Sequence, residues 1–264
     1  MRPLSSFPAS VRSRIRGVLF DLDDTLTTGG RLTSDAYFAL ERLHQADLIT
    51  VLVTGRPAGW CDHFARMWPV HAVVGEGGSL CFWRDPHSNR LRQMYVDPAD
   101  VRRVNRAALV EIANRIIAEV PGCAISSDQP YRECDLAIDW AEDVPRLPLA
   151  KVDRILAIMR ENGMTAMASA GHVNGWFGDY DKLGMTRRYF HEVLGIDLDA
   201  QRGFFAYLGD SPNDCPMFKY FPHSIGVANV MDVKDRLVDP PKYITARRSG
   251  DGFCEAVGAL FEVR

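Results

Sequence analysis

The sequence lacks the features of disulfide-rich, membrane-spanning and nucleic-acid-binding proteins. Its six cysteines are scattered over 264 residues without a CxxC pair or a histidine at zinc-ligand spacing, which predicts reduced, mostly buried thiols. No apolar stretch approaches the roughly 18 residues that a membrane span needs, so no membrane partner is expected. Lysine and arginine total 31 against 34 acidic residues, and the absence of a basic excess argues against a nucleic-acid partner.

The composition is that of an ordinary globular protein, with 47% hydrophobic and 25% charged residues and a formal net charge of −3. A chain of this length favours one large domain or a core domain that carries an insertion. The first sixteen residues contain four arginines and no acid, as transit peptides do, but the first predicted core strand begins at Gly17 and leaves little to cleave. A cytoplasmic enzyme or binding protein is therefore expected.

Strand and helix patterns alternate over the first 75 residues. The run Gly17–Phe20 is continuously apolar and ends in acids, as expected of a strand buried on both faces of a parallel sheet. A helix over 34–46, a strand over 48–53, a helix from Pro57 and a strand over 72–74 follow. The same alternation returns after Lys182. These patterns predict an α/β fold with a doubly wound, mostly parallel sheet.

An insertion with a different pattern separates the two halves of this sheet. Residues 79–83 and 91–96 flank a segment rich in turn-forming residues, which predicts an antiparallel hairpin and the start of a new layer. A long helix, two further strand pairs and a second helix follow. We therefore expect a core over residues 1–83 and 178–264, with an inserted α+β cap domain over residues 84–177.

Three acidic residues, Asp21, Asp23 and Asp24, directly follow the first predicted strand. They lie at the carboxyl edge of the sheet, where open α/β folds bind ligands. Strand periodicity points Asp21 and Asp23 to the same side, and two carboxylates about 4 Å apart repel by about 4 kcal/mol at an effective dielectric constant of about 20. A cation is expected between them, although acids that only end a strand and cap the next turn would explain part of the pattern.

A second acidic segment, GDSPND at residues 209–214, follows the strand predicted over 204–208. The fold would bring it to the same edge of the sheet as the first segment. Several acids that converge there favour a hard divalent cation, and Mg²⁺ is the usual choice when a phosphate is the other ligand. On its own, the segment could equally be a capped loop between a strand and a helix.

Thr54 and Lys182 add polar groups at this edge. Thr54 ends an apolar strand beside Gly55, where its hydroxyl could donate to a phosphate oxygen. Lys182 follows Asp181, a predicted helix N-cap, and so lies in a first turn where the helix dipole disfavours a cation. An anion held by Lys182, the helix amides and a metal ion would make this position favourable. A solvated surface lysine is the alternative.

The four segments together, DLDDTLT, VTGR, DYDKLG and GDSPND, resemble in this order the signature motifs of the haloacid dehalogenase (HAD) superfamily of phosphohydrolases. The insertion of roughly 90 residues resembles the large α/β cap of subclass IIB, which includes Cof-type and sucrose-phosphate phosphatases, mannosyl-3-phosphoglycerate phosphatase and phosphomannomutases. One departure is Asp24, where many members have glycine. The resemblance covers nearly the whole chain after residue 16.

The resemblance implies a mechanism with two neighbouring acids. Asp21 would attack the phosphorus in line and form an aspartyl-phosphate. Asp23 would protonate the leaving alcohol and later deprotonate the water that cleaves this intermediate. Thr54 and Lys182 would hold phosphate oxygens.

The resemblance also implies a set of ligands for Mg²⁺. The ion would be held by Asp21, by the backbone carbonyl of Asp23 and by Asp210, while Asp214 orients metal-bound water.

The cap is expected to select the substrate, a small phosphorylated molecule. The residues expected to contact its hydroxyls or a second anionic group, mainly on cap loops 127–132 and 169–174, are Arg56, Asp128, Arg132, His172 and Asn174. A surface ion pair with Glu133 or Asp135 is the alternative for Arg132. A packed or solvent-facing side chain is the alternative for His172.

The leading interpretation is a Mg²⁺-dependent phosphatase acting on a small phosphorylated sugar or related metabolite. A sugar phosphomutase is the nearest alternative, because the same aspartyl chemistry can return the phosphoryl group to another hydroxyl. A phospho-accepting signalling module also places Asp, Thr and Lys at the edge of a doubly wound sheet, but the second acid and the long insertion argue against it. A catalytically silent binding protein is disfavoured because all the expected polar residues are present.

Overall fold

The structure, a computed structural model, describes residues 1–169 and 171–263. The strands in these residues are β1 (Arg2–Pro3), β2 (Gly17–Phe20), β3 (Ile49–Val53), β4 (Ala72–Gly75), β5 (Leu80–Arg84), β6 (Leu91–Tyr95), β7 (Ala124–Ile125), β8 (Asp135–Asp139), β9 (Thr165–Ala168), β10 (His172–Trp176), β11 (Phe205–Gly209), β12 (Ser224–Gly226) and β13 (Tyr243–Ile244). The α-helices are α1 (Ala9–Arg12), α2 (Ser34–Gln45), α3 (Ala58–Met67), α4 (Ala99–Glu119), α5 (Leu149–Glu161), α6 (Lys182–Glu192), α7 (Leu198–Gln201), α8 (Cys215–Tyr220) and α9 (Ser249–Phe261).

The core sheet has the strand order β1-β13-β12-β11-β2-β3-β4-β5-β6 across the described part of the chain. All neighbours from β1 to β4 are parallel, and β5 and β6 add an antiparallel edge. Val18 and Phe20 of β2 pack into one apolar layer, and Leu19 packs into the layer on the opposite face. The doubly wound, mostly parallel sheet predicted from the sequence is confirmed.

The position of β2 decides where the functional residues meet. The chain leaves β2 to form β3 on one side, and it returns much later to form β11 on the other side. Such a reversal of strand order opens a crevice at the carboxyl ends of the strands. Segments almost 190 residues apart in the sequence therefore lie side by side, as the sequence patterns predicted.

The cap contains a separate antiparallel sheet in the order β7-β8-β10-β9, covered by α4 and α5. Leu136, Ile138 and Val173 point to the helices and join an apolar cluster of the cap's own. Because side chains alternate along a strand, His172 and Asn174 lie on the other face, which lines a cleft toward the core.

The first cap boundary expected from the sequence, at residue 84, lies too early. The hairpin predicted over 79–96 is present, but β5 pairs with β4 and β6 pairs with β5, so both strands extend the core sheet instead of starting a new layer. The pattern of an antiparallel pair is the same in either position, and only its partner strand decides which domain it joins. We therefore place the start of the cap after β6.

Two further sequence expectations concern the cysteines and the membrane. All six cysteines are free, as predicted. None of the helices in the described residues combines the length and the apolar character that a membrane span requires.

Gly78 lets the chain that returns from the cap pass close to the core. Its backbone has a φ of +110°, which L side chains rarely adopt, and an added Cβ would lie 2.0 Å from the carbonyl oxygen of Asp181 and 2.7 Å from the amide nitrogen of Lys182. The first turn of α6 can therefore approach the core sheet only because residue 78 lacks a side chain.

Gly78→Ala is expected to lower the free energy of unfolding by about 2–5 kcal/mol, through strain at positive φ and a clash with the backbone of Asp181. Gly163→Ala is the matched control, because Gly163 also has positive φ (+75°) but an added Cβ meets nothing within 4 Å. Denaturant unfolding of both variants measures the difference. Equal losses in the two variants would contradict the steric explanation.

Candidate active site

Three polar residues from distant parts of the chain meet at one point of the sheet edge. Asp21 directly follows β2, Thr54 follows β3 and Asp210 follows β11. Since β2 pairs in parallel with both β3 and β11, the carboxyl ends of these strands present the three residues as neighbours.

The carboxylates of Asp21, Asp210 and Asp214 form a compact cluster, with one oxygen of each within 4.8 Å of the others. Burial raises the pKa of Asp21 to about 7, and the opposing effect of Lys182 does not cancel it. Burial, reinforced by the charges of Asp21 and Asp214, also raises the pKa of Asp210 well above its ordinary value. Asp21 and Asp210 can therefore both be ionised near neutral pH only when further positive charge is close by.

The donor set of this cluster suits Mg²⁺. Within the described residues, the ligand atoms it offers are carboxylate oxygens, without a nitrogen or sulfur donor. Mg²⁺ prefers such hard oxygen ligands, whereas softer metals favour histidine or cysteine. The residues present therefore fit the metal expected from the sequence.

Lys182 places a positive charge among these carboxylates. Its Nζ lies 2.7 Å from Asp21 Oδ1 and 2.9 Å from Asp214 Oδ1, and it also donates to Asn213 Oδ1 at 3.2 Å. Burial alone would lower the pKa of Lys182, but the two carboxylates outweigh burial and raise it. Asp181 caps α6 as predicted, since its side chain accepts from the amide of Gly184. The acids thus offset the unfavourable position of a cation at a helix start.

Asp214 organises the loop that follows β11. It is fully buried, and it accepts from the hydroxyl of Tyr207 at 2.6 Å and from the backbone amides of Asp210 and Ser211 at 3.1 and 3.2 Å. These bonds fix the backbone of Asp210 beside Asp21. Asn229 adds a direct contact, because its Nδ2 donates to Asp210 Oδ2 at 3.0 Å.

The side chain of Asp23 stands apart from the three clustered carboxylates, although the sequence predicted that Asp21 and Asp23 share a cation. Its two oxygens accept from Arg56 Nε at 3.1 and 3.0 Å and from Arg56 Nη2 at 2.9 Å. The backbone leaves the extended conformation after β2, with φ at +54° at Asp24, and strand periodicity therefore does not continue to residue 23. Because the carboxylate of Asp23 is paired with Arg56, its backbone carbonyl oxygen is the atom of this residue that could bind a metal ion.

Thr54 is fully buried, and its hydroxyl oxygen accepts from the amide of Arg56 at 3.0 Å. This bond shapes the turn that carries Arg56 from β3 toward the cap. Arg56 reaches both domains, because its Nη1 donates to Glu142 of the cap at 3.2 Å.

A cleft of about 500 Å³ opens in front of Asp21 between the core and the cap. Its core side includes Asp21, Asp23, Asp24, Arg56, Asp210 and Asn213. Its cap side includes Arg132, Glu142, Arg146, Ser169, His172 and Asn174. The sequence-predicted residues Arg56, Arg132, His172 and Asn174 therefore line one space with Asp21.

Arg132 and Asp128, both predicted to contact substrate, neutralise each other. Arg132 Nε and Nη2 donate to the two oxygens of Asp128 at 2.9 and 3.0 Å, and Nη1 donates to Asp135 at 3.0 Å. The ion pair with Asp135 was the alternative considered for Arg132, but it is buried instead of lying on the surface. Asp128 does not line the cleft in front of Asp21. Arg132 Nη1 also donates to the carbonyl of Gly55 at 3.0 Å, which ties the cap to the core.

His172 and Asn174 reach the cleft from β10, where strand alternation places them on one face. Asn174 Nδ2 donates to Asp135 Oδ2 at 2.9 Å. His172 Nε2 lies 3.1 Å from both Ser126 Oγ and Glu142 Oε2. Burial lowers the pKa of His172 despite the nearby Glu142, so the imidazole is neutral at neutral pH.

The sequence of this chain matches known proteins in its core motifs and along most of its length. Residues 18–128 match the family of haloacid dehalogenase-like hydrolases. A Saccharolobus solfataricus protein, phosphoglycolate phosphatase 1, is 24% identical over 253 residues, which cover 94% of this chain and 96% of the relative. The chain therefore resembles the haloacid dehalogenase-like hydrolases, as its motifs predicted. The predicted enzyme class, a phosphoric monoester hydrolase, is confirmed.

Solved structures with low sequence identity share the fold of this hydrolase. A Thermoplasma acidophilum protein has a TM-score of 0.70 at 15% identity and covers 95% of this chain and 99% of its own. The sucrose-phosphatase of Synechocystis, solved with sucrose and phosphate, has a TM-score of 0.63 at 17% identity and covers 94% of this chain and 98% of its own. The predicted fold, a mostly parallel core sheet with an inserted α+β cap, is confirmed.

Glu76 is a residue of this hydrolase that the sequence did not single out. It is fully buried, has a φ of +43°, and accepts from the amides of Ala58, Glu133, Cys134 and Asp135 at 2.6–3.1 Å. Burial raises its pKa to about 7. A core carboxylate thus holds the cap segment 133–135, next to Arg132. No local sequence pattern around residue 76 pointed to four amide partners.

Glu76→Ala is expected to lower the free energy of unfolding by about 3 kcal/mol or more, because it removes the acceptor of four backbone amides in a buried place. Glu133→Ala is the matched control, since that glutamate is half-buried and its side chain pairs with Arg102 at 3.5 Å instead of accepting from buried backbone amides. Denaturant unfolding measures stability, and amide hydrogen exchange at residues 133–135 reports on cap docking. Unchanged exchange in Glu76→Ala would contradict this role.

Mg²⁺ is expected to stabilise this hydrolase strongly at pH 8 and weakly at pH 5. The pKa of Asp21 is about 7 in the folded protein against an ordinary 3.8, so the metal-free folded state binds more protons between these values. Its free energy of unfolding therefore falls as the pH rises from about 4 to 7, by roughly 1 kcal/mol per pH unit for each proton bound on folding. The ion must displace these protons at pH 5, but not at pH 8.

Thermal unfolding with Mg²⁺ or with a chelator, at both pH values, checks this dependence. A shift of several degrees in Tm at pH 8 and a much smaller shift at pH 5 are expected. A Mg²⁺ effect that is equal at the two pH values would mean that the ion binds away from the acidic cluster.

Proposed function

We propose that this hydrolase is a Mg²⁺-dependent phosphatase that cleaves a small phosphorylated metabolite through an aspartyl-phosphate on Asp21. The observation that carries the proposal is the position of the Asp21 carboxylate, which is held 2.7 Å from Lys182, clustered with Asp210 and Asp214, and open to a cleft of small-molecule size. A carboxylate and a phosphate ester are both anionic and repel each other. Positive charge near the carboxylate offsets this repulsion and lets it act as a nucleophile.

Mg²⁺ would be held by Asp21, Asp210 and the backbone carbonyl of Asp23, with Asp214 orienting metal-bound water. When bound, the ion supplies positive charge that keeps the acids ionised and offsets the charge of the phosphoryl oxygens. Lys182 supplies a further positive charge, 2.7 Å from Asp21 Oδ1.

In the first step, a carboxylate oxygen of Asp21 attacks the phosphorus while the bond from phosphorus to the ester oxygen breaks. The electrons of that bond pass to the leaving oxygen, which takes a proton from Asp23. Thr54 and Lys182 hold phosphoryl oxygens and keep the phosphorus in line with Asp21.

In the second step, a water attacks the phosphorus of the aspartyl-phosphate and gives its proton to Asp23. The bond between phosphorus and Asp21 breaks, which releases inorganic phosphate and restores the carboxylate. Both oxygens of Asp23 accept from Arg56 in the structure, so proton transfer requires this ion pair to open. Arg56 also contacts Glu142 of the cap, so a movement of the cap can shift the ion pair.

The substrate is proposed to be a small phosphorylated sugar or hydroxy acid. The cleft is of a size that suits such molecules, and its cap side offers Arg132, His172 and Asn174 to the part of the substrate beyond the phosphate. The relatives act on substrates of this size, as the names phosphoglycolate phosphatase and sucrose-phosphatase state. A cytoplasmic location and the absence of a nucleic-acid partner stay sequence-based predictions.

Phosphate release from a panel of sugar phosphates and phosphorylated hydroxy acids, with Mg²⁺ or with a chelator, tests the proposal. We expect release that depends on Mg²⁺ and a fall of at least 10³-fold in kcat for Asp21→Asn, because the amide cannot act as the nucleophile. Asp62→Asn is the matched control, since Asp62 lies on the surface, pairs with Arg66 and should leave the rate unchanged.

A rate in Asp21→Asn above a tenth of the wild-type value would contradict the assignment of the nucleophile. Conversion of a sugar phosphate to its isomer with little free phosphate would instead identify a phosphomutase. Release that is unaffected by the chelator would contradict the role of the metal.

A further inference from the structure

Two of the three arginines in the cleft are already neutralised by carboxylates. Arg132 donates to both oxygens of Asp128 and to Asp135. All of these distances are 2.9–3.0 Å, and all three residues are buried. The charge of Arg132 is therefore balanced by acids of the protein and is not available to a ligand.

The charge of Arg56 is also balanced by acids of the protein. Its Nε and Nη2 donate to Asp23, and its Nη1 donates to Glu142. Glu142 also contacts His172, so this acid has two partners and neither of them is Arg146.

Arg146, the third arginine of the cleft, is exposed and has no carboxylate partner within 4.0 Å in residues 1–169 and 171–263. Its guanidinium lies over the ring of Trp140, 4.7 Å from the centroid. Stacking on an aromatic face restrains the side chain and leaves the edges of the guanidinium free to donate hydrogen bonds.

The loop that carries Arg146 is fixed before any ligand binds. The buried carboxylate of Asp139 accepts from the three amides of residues 141–143 at 2.7–3.0 Å. The amide of Leu147 donates to the carbonyl of Trp140 at 2.9 Å and closes the loop. A restrained cation loses less entropy on binding than a mobile surface arginine, so this arrangement suits recognition of an anion.

We propose that Arg146 recognises a carboxylate on the substrate and so makes this hydrolase selective for phosphorylated hydroxy acids. The inference rests on the proposed phosphatase function and names the substrate class of the same site. The phosphate would lie at Asp21 and Lys182, and the carboxylate would lie at Arg146 on the cap side of the cleft. The planar guanidinium can donate two parallel hydrogen bonds to a carboxylate.

The charges around Arg146 favour a single negative charge over a second phosphate. Glu142 lines the same cleft, and the neutral His172 adds no positive charge there. A dianion at this place would keep one uncompensated negative charge and would lie near an acid, whereas a carboxylate is balanced by Arg146 alone.

The test compares 2-phosphoglycolate with 2-hydroxyethyl phosphate, which has the same chain length and a hydroxyl in place of the carboxylate. Wild-type protein with Mg²⁺ is expected to have at least a tenfold higher kcat/KM for the carboxylate substrate. Arg146→Met, which keeps an apolar stem of similar length, should lose about 10–100-fold on 2-phosphoglycolate and less than threefold on 2-hydroxyethyl phosphate, as expected for one charge-assisted hydrogen-bond pair. Arg146→Lys should recover part of the loss.

Arg103→Met is the matched control, because Arg103 is an exposed arginine on the cap helix α4 and does not line the cleft. It should leave both substrates unchanged. Thermal unfolding of all variants and their rates on p-nitrophenyl phosphate check that the fold and the reaction centre are intact.

Equal losses on both substrates in Arg146→Met, or a wild-type enzyme without preference for the carboxylate, would overturn the inference while the phosphatase function stands. A third substrate, ethylene glycol bisphosphate, carries a phosphate in place of the carboxylate. If the wild-type protein turned it over as fast as 2-phosphoglycolate or faster, and Arg146→Met lost this activity, Arg146 would recognise a phosphate and the inference would also be overturned. The proposed function itself would fail if the wild-type protein released no phosphate from any ester with Mg²⁺.

Discussion

Mutual repulsion among three clustered carboxylates, two of them buried, is the constraint on which this site depends. Asp21, Asp210 and Asp214 converge because β2 pairs with β11, a strand formed much later in the chain, so the carboxyl ends of both strands meet at one edge of the sheet. Lys182 offers one positive charge to three acids, and burial raises the pKa of Asp21 to about 7 despite it. A divalent cation would complete the charge balance, and the proposed phosphatase reaction uses such a cation beside its nucleophile.

The two domains divide the chemistry of the proposed reaction. The core provides the groups that act on the phosphoryl group. Asp21, Thr54 and Asp210 lie at the ends of parallel strands, and Lys182 comes from the first turn of α6. The cap provides β10 and the loop with Arg146, which face the part of the substrate beyond the phosphate. Glu76 and Arg56 join the domains by hydrogen bonds to cap residues, so the reacting atoms and the selecting groups keep a defined relation.

The core residues of the site could be predicted because their positions follow from local patterns. An apolar run that ends in acids, threonine or a helix cap marks the carboxyl end of a buried strand, and parallel strands gather these ends at one edge. The cap residues could not be predicted in the same way. Arg132 and Asp128 each have the chemistry of a substrate ligand, but they neutralise each other, and only the contact between their side chains reveals it. The hairpin of β5 and β6 was assigned to the wrong layer because its alternating pattern does not record which strand it pairs with.

From the sequence alone follow the alternation of strands and helices, the inserted cap and the acids, threonine and lysine of the four motifs, because these depend on residue type and short-range spacing. The tertiary structure decided which charges remain available. In the described residues, it pairs Asp23 with Arg56 and Arg132 with Asp128, assigns Glu76 to four backbone amides, and leaves Arg146 without an acid. The reason is physical: whether a charge is free to bind a ligand depends on neighbours within a few ångströms, and most of those neighbours come from distant parts of the chain.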